Sequence, residues 1–264
     1  MALSTETTVR WRLPDLPTVT LSAGQAADRA TMLAADRIAT DRIGLSLLLM
    51  MENAGHSLAD LTRLTLGGSV SGRSIVVLAG TGNNAGGGMV AARRLAGWGA
   101  WVRIAFAQPI RRLRPAPRAQ LEPLLAARVQ AAVVGHDLSQ GEVMSEVRRA
   151  DAVIDALIGY SLAGAPDSTY RPLIELAAAG SGAVISLDLP TGVDASTGER
   201  PGAAVAADAT LALGLPKRGM MIGEGARLSG AGYLADIGLP SSIFAELRID
   251  VDGLFAAGPL LRLG

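Results

Sequence analysis

The stretch Val76–Arg94, VVLAGTGNNAGGGMVAARR, limits the fold more than any other part of the chain. A short apolar run, Ile75–Ala79, meets a turn dense in glycine and asparagine, after which Met89–Leu95 reads as helix. Strand, tight glycine turn and helix make the first half of a doubly wound βαβ unit. At the mouth of such a unit the helix points its free N–H groups and the positive end of its dipole outward, which suits a phosphate. Gly80, Gly82, Gly86, Gly87 and Gly88 are expected to take positive φ and to let the backbone come close to a ligand. Asn83 and Asn84 add amides that donate and accept, and both tolerate the left-handed region. A bare turn needs one or two glycines, so this density points to a bound molecule.

The alternation continues through the chain. Ala100–Phe106, Ala131–Val134, Asp151–Tyr160, Ala183–Leu189, Ala209–Leu215 and Tyr233–Ile237 read as strands, and Leu121–Gln130 and Tyr170–Ala179 as helices. Upstream, Ser22–Thr40, capped by Ser22, and Ser46–Leu66 form an expected helical pair broken at Asp41–Gly44. Residues 1–20, with Pro14 and Pro17, read as irregular, and Asp252–Gly264 gives no signal. No repeat or low-complexity linker divides residues 21–264, which are expected to form one doubly wound domain behind the helical pair.

Composition narrows the function. The 264 residues suffice for a sizeable core, the formal net charge is zero, and aromatic residues make up only 3%. Nucleic-acid binding needs a basic field or stacking platforms, and neither is evident. Arg111, Arg112, Arg114 and Arg118 sit among prolines, where a solvated face is the common explanation. Cysteine is absent, which excludes disulfides, thiolate metal sites and a cysteine nucleophile. The N-terminus lacks a long apolar stretch behind a basic segment, and Leu47–Met51 is too short to span a bilayer. The expectation is a cytoplasmic protein with no membrane or nucleic-acid partner.

Ligands of open parallel sheets bind outside the carboxyl ends of the strands. Three loops leave such ends: Gly80–Gly88, Asp155–Asp167 and Asp188–Asp194. Asp155 and Asp188 each lie within or at the end of an apolar strand, where a carboxylate needs a partner, a cation or a raised pKa. Oxygen groups of Asn84, Asp155 and Thr191 could share a cation, and oxygen-only ligation with one carboxylate suits a hard, weakly held ion better than zinc. His56 and His136 have no partner at metal-ligand spacing, and Ser161 and Ser186 lack a histidine for a triad.

The segments LMMENAGHSLAD, AGTGNNAGGGMVAARRLAGWGA, DAVIDALIGYSLAG, VISLDLPTGVDASTG, ADATLALGLPKRGM and GYLADIGLP resemble the NAD(P)H-hydrate epimerase family in order and spacing, from about Ala23 to Pro240. The resemblance implies an α/β, Rossmann-like three-layer α/β/α sandwich, commonly a homodimer. It implies interconversion of the R and S forms of hydrated NADH or NADPH, in the arrangement without a dehydratase domain. It places substrate contacts on Asn83, Asn84, Ala85, Gly86 and Gly87, and on the loop Gly159, Tyr160, Ser161, Leu162, Ala163, Gly164 and Ala165. It also implies a potassium ion on Asn84, Asp155 and Thr191, with Asp188 touching substrate as the acid/base.

Three positions depart from the family pattern. Its loop aspartate is Gly87 here, the first glycine of its Gly-Gly pair is Ala85, and its serine is Thr191. If the lost carboxylate held a ribose hydroxyl, binding weakens by about 1–3 kcal/mol. The departures leave open a relative acting as isomerase or lyase on another small molecule, or one that only binds.

Overall fold

The structure is a computed structural model that describes residues 11–264; residues 1–10 of the segment expected to be irregular lie outside the described residues. Strands β1 (Thr18–Val19), β2 (Ser74–Ala79), β3 (Trp101–Phe106), β4 (Gln130–Val133), β5 (Ala152–Ala156), β6 (Ala183–Leu187), β7 (Ala209–Leu213), β8 (Ala231–Ala235) and β9 (Leu260–Leu263) form one sheet. Their order is β1-β9-β8-β7-β6-β5-β2-β3-β4. From β8 to β4 every neighbouring pair is parallel, while β9 runs antiparallel to β8 and parallel to β1. Parallel strands buried on both faces need continuous apolar runs, which IVVLA in β2 and AVISL in β6 supply. The chain leaves β2 toward β3 and β4, then returns to β5 on the other side of β2, so the strand order reverses there.

Helices α1 (Arg29–Arg37), α2 (Leu47–Thr65), α3 (Asn83–Gly97), α4 (Pro115–Ala119), α5 (Leu121–Ala126), α6 (Gln140–Arg149), α7 (Arg171–Ala177), α8 (Gly223–Ser229) and α9 (Ser241–Glu246) cover the sheet and its ends. One core joins α2, α3 and α5 to Ile75, Val77, Ile104 and Ile154; the other joins α6 and α7 to Val76, Leu78 and Val153. Alternate residues of the same strands therefore feed two cores, giving the three-layer, Rossmann-like sandwich. Among the described residues no helix is long and apolar enough to cross a membrane.

Three local expectations are corrected. Helix α3 starts at Asn83 rather than Met89, and Gly86, Gly87 and Gly88 are helical, as none of the loop glycines has positive φ. They serve close packing. A Cβ on Gly88 would lie 2.5 Å from Ala156 Cβ, and one on Gly86 2.6 Å from Met51 Sδ. Second, the cap of α1 is Asp28, whose carboxylate accepts from Thr31 N at 2.8 Å, while the Ser22 hydroxyl turns to Gln25. The helix then widens into a π-turn, Ile38–Ile43, that Gly44 closes at φ 78°. Third, the silent C-terminal segment supplies β9, which sits between β8 and β1, and β1 itself (Thr18–Val19) is a short strand inside the 1–20 stretch expected to be irregular.

Helix α2 returns the close approach. A Cβ on Gly55 would meet Val90 Cβ at 2.4 Å and the Gly87 carbonyl oxygen at 2.7 Å. Gly55→Ala is expected to wedge α2 from α3 at a cost of about 1–3 kcal/mol. At roughly 2–4 °C per kcal/mol the melting temperature falls accordingly, and calorimetry showing an unchanged midpoint would refute the tight contact.

Candidate functional site

At the carboxyl ends of β2, β5, β6 and β7 a cavity of about 370 Å³ opens between the sheet edge and helices α1 and α2. Its lining is apolar at Met32, Met50, Met51 and Leu187 and polar at Asn83, Asn84, Tyr160, Asp188 and Lys217. An apolar cleft with a few convergent polar groups at the reversal of strand order is where a small molecule binds in such sheets.

Asp188 follows β6 directly, with its N–H donating to Leu211 O at 2.7 Å. Its φ is 72°, a left-handed conformation that is uncommon outside glycine and that aspartate takes more readily than most residues. Two contacts hold its carboxylate. Oδ2 accepts from Tyr160 N at 2.8 Å, and Oδ1 lies 2.5 Å from Lys217 Nζ in an ionic contact rather than a directed hydrogen bond. Lys217 is fully buried and donates to Leu213 O at 2.8 Å and Leu215 O at 3.0 Å. The Tyr160 ring lies 5.7 Å from the ammonium, and its hydroxyl donates to Asp36 on α1. Burial pushes the Asp36 carboxyl above its ordinary value, against the Tyr160 hydrogen bond and the Lys217 charge. Burial and the neighbouring Asp36 raise the Tyr160 phenol, so it stays protonated as the donor.

Asp155, in β5, faces a different environment. It is fully buried and takes four hydrogen bonds: Thr191 Oγ1 at 2.7 Å and Leu157 N at 3.2 Å on Oδ1, Ser186 Oγ and Thr191 N, both at 2.9 Å, on Oδ2. Among the described residues no cationic side chain pairs with it, and burial pushes its carboxyl up despite those donors. Thr191 Oγ1 also lies 3.0 Å from Ile158 O. A hydroxyl has one proton, so with that proton on Asp155 two oxygens face each other unbridged.

Asn84 donates through Nδ2 to Leu187 O at 3.2 Å, and its Oδ1 turns toward Gly159. A Cβ on Gly159 would lie 2.7 Å from Asp188 Oδ2 and 3.1 Å from Asn84 Oδ1, so this position must stay bare. Among the described residues, no cluster of three or more His, Asp or Glu side chains is arranged to hold a metal.

The residues singled out in the sequence separate into three groups. Asn83, Asn84, Gly87, Gly159, Tyr160, Ser161 and Asp188 line the cavity. Asp155 and Thr191 lie buried behind it, and Ala85 and Gly86 are buried within α3. Leu162 is buried in the following loop, while Ala163, Gly164 and Ala165 are exposed outside the lining. At Gly87 a Cβ would come within 2.8 Å of Leu187 Cδ2, so a leucine methyl fills the space beside this glycine. His56 pairs with Asp60 and His136 with Asp137, both away from the cavity. Sequence reading missed Asp36 and Lys217. A lysine straight after the apolar strand of β7 was the available signal for the second; nothing in α1 marks the first.

The chain matches the family model described as YjeF-related protein N-terminus over residues 48–219. It is 38% identical over 248 residues to an NAD(P)H-hydrate epimerase of Dehalogenimonas lykanthroporepellens, covering 92% of this chain and 96% of that protein. It is 30% identical over 215 residues to an NAD(P)H-hydrate epimerase of Rhodopirellula baltica, covering 81% and 84%. Against a bifunctional NAD(P)H-hydrate repair enzyme of Thermofilum pendens it is 35% identical, covering 82% of this chain but 41% of that longer protein. The crystal structure of yeast ynu0 shares the fold, with a TM-score of 0.75 at 21% identity, covering 90% of this chain and 99% of that one.

Thr191 supplies two of the four donors on a buried charge, one of them through its hydroxyl. Thr191→Val leaves that carboxylate short of one strong hydrogen bond and is expected to cost about 1.5–3 kcal/mol, whereas Thr191→Ser keeps the donor. Urea unfolding checks this: equal midpoints for the valine and serine variants would contradict the assignment.

Proposed function

The chain belongs to the YjeF-related family that includes the NAD(P)H-hydrate epimerases, and on that premise we propose that it is an isomerase interconverting the R and S forms of hydrated NADH and NADPH. The observation that supports the residue assignment is Asp188, a carboxylate in the cavity lining held by the Tyr160 N–H and Lys217.

The carbon that changes configuration bears a hydroxyl and adjoins the ring nitrogen. Two routes make that carbon planar. In one, the ring nitrogen lone pair expels the protonated hydroxyl as water, which then adds back to the other face. In the other, the hydroxyl gives up its proton as the C–N bond opens to an aldehyde and recloses. Both move a proton at the hydroxyl oxygen, and in this reading Asp188 holds or moves it. Tyr160 N–H and Lys217 fix the orientation of its carboxylate, so no reorganisation is needed when the charge shifts. The apolar side chains of Met32, Met50, Met51 and Leu187 in the lining leave water few partners inside the cleft. Asn83 and Asn84, at the start of α3, supply amides to the polar part of the ligand.

We also propose a potassium ion on the oxygens of Asn84, Asp155 and Thr191. The fit rests on a buried carboxylate with no cationic side chain and on the unbridged pair of Thr191 Oγ1 and Ile158 O. Such an ion would supply the missing countercharge and tie the loops after β5 and β6 together. All these donors are oxygen, as a hard monovalent cation prefers.

The activity is tested with the R form of hydrated NADH, excess S-specific dehydratase and the initial rate of NADH recovery, less the uncatalysed epimerisation. Wild type is expected to exceed background and Asp188→Asn to lose about 10²–10⁴-fold. No rate from folded wild type refutes the epimerase reading. A full rate in the variant refutes the role of Asp188.

A carboxyl raised in the folded state makes the fold less stable as pH climbs through and above the ordinary carboxylate range. Potassium chloride is therefore expected to raise the melting temperature over tetramethylammonium chloride at equal ionic strength, by more near neutral pH than in acid. Asp155→Asn should abolish the difference. A potassium effect that survives in that variant would contradict the assignment.

A further inference from the structure

Lys217 is the one fully buried basic side chain among the described residues, and the reaction gives it no proton to move. An ammonium withdrawn from water costs several kcal/mol unless oxygens surround it closely. Here three do so: the carbonyls of Leu213 and Leu215 and Oδ1 of Asp188. The two carbonyls belong to the end of β7 and the turn after it, so the ammonium is held from behind by main chain. The Lys217 backbone is itself pinned. Ala27 N donates to Pro216 O at 2.9 Å and Arg218 N to Ala27 O at 2.8 Å, bracketing the residue on both sides. The Tyr160 ring lies against the remaining approach.

The arrangement is directional. With two ammonium protons spent on carbonyls and the third side turned to Asp188, Lys217 has nothing left for a ligand. What it does touch is Asp188, a buried carboxylate in the cavity lining whose backbone is left-handed. A lysine serving only to fill space would bury as well beside two carbonyls without a carboxylate at 2.5 Å.

We propose that Lys217 is the positioning residue of this site: it holds Asp188 as an aimed carboxylate and acts on the reaction only through it. The inference rests on the epimerase reading for its kinetic arm, and on the contact between the two side chains alone for its spectroscopic arm. Tyr160, its ring beside the same ammonium, donates through its hydroxyl to Asp36, a carboxyl that feels the Lys217 charge.

The kinetic arm uses Lys217→Ala and Lys217→Met in the coupled assay, with melting temperatures recorded for both. Expected is a kcat lower by about 10²-fold with KM within a few-fold of wild type, as for a reacting group displaced by about 1 Å. Ethylammonium is expected to restore kcat in the alanine variant, whose truncated side chain leaves room for it, and not in the methionine variant. A raised KM with unchanged kcat, or a folded alanine variant that ethylammonium does not rescue, would overturn the proposal.

The spectroscopic arm needs neither substrate nor a lysine variant. In wild type labelled with 15N-lysine, the Lys217 ammonium is expected as a slowly exchanging signal, and in Asp188→Asn that signal is expected to shift and exchange faster. An identical signal in both proteins overturns the proposal even if the lysine variants fail to fold. A wild type that shows the signal change yet no turnover locates the failure in the epimerase reading instead.

Discussion

The polar chemistry of this molecule depends on the parallel ladder of β2, β5, β6 and β7, which delivers four strand ends to one edge of the sheet. Register does the fine placement. Asp155 lies opposite Ser186, so the serine hydroxyl meets the carboxylate at 2.9 Å without any loop rearrangement. One step beyond β6 the chain turns into Asp188, and one turn beyond β7 it reaches Lys217. A shift by one residue in either pairing would send these side chains to the other face.

The same edge holds two buried carboxylates in contrasting states. Asp188 faces an ammonium and a main-chain N–H, while Asp155 is surrounded by neutral donors with no positive side chain. Hydrogen bonds delocalise a buried charge but do not cancel it. The proposed mechanism gives the two acids different work: Asp188 faces the ligand, and Asp155 contributes an oxygen to the proposed cation. Helix α1 closes the arrangement by bringing Asp36 to Tyr160, across 124 residues of chain.

Much of this was legible in the sequence because it is local. The strand–glycine–helix unit, the succession of strands along the chain and the aspartates at apolar strand ends all follow from patterns a few residues long. The glycines of α3 show the limit. Intrinsic propensity makes Gly86–Gly88 a helix breaker, so a turn is the natural reading, yet packing against Ala156 and Met51 demands bare Cα atoms inside a helix. Helix propensity yields here to tertiary contact. Asp36 carries no local signal and Lys217 only a faint one, a lysine soon after an apolar strand, since each gains its meaning from partners on other elements. Strand β9 was missed because four residues, LLRL, carry little periodicity of their own and are specified by β8 and β1 on either side.

The proposed mechanism turns on Asp188 meeting the hydroxyl of the carbon that inverts. A crystal structure of the Asp188→Asn variant with hydrated NADH tests this most directly, because the chemistry is stalled while the side chain keeps its shape. The hydroxyl oxygen of the hydrated ring is expected within about 2.6–3.2 Å of the amide that replaces the carboxylate, with the ring against Met51 and Leu187. A ring bound with its hydroxyl turned to those apolar side chains, or a ligand seated outside this cavity, would contradict the central claim.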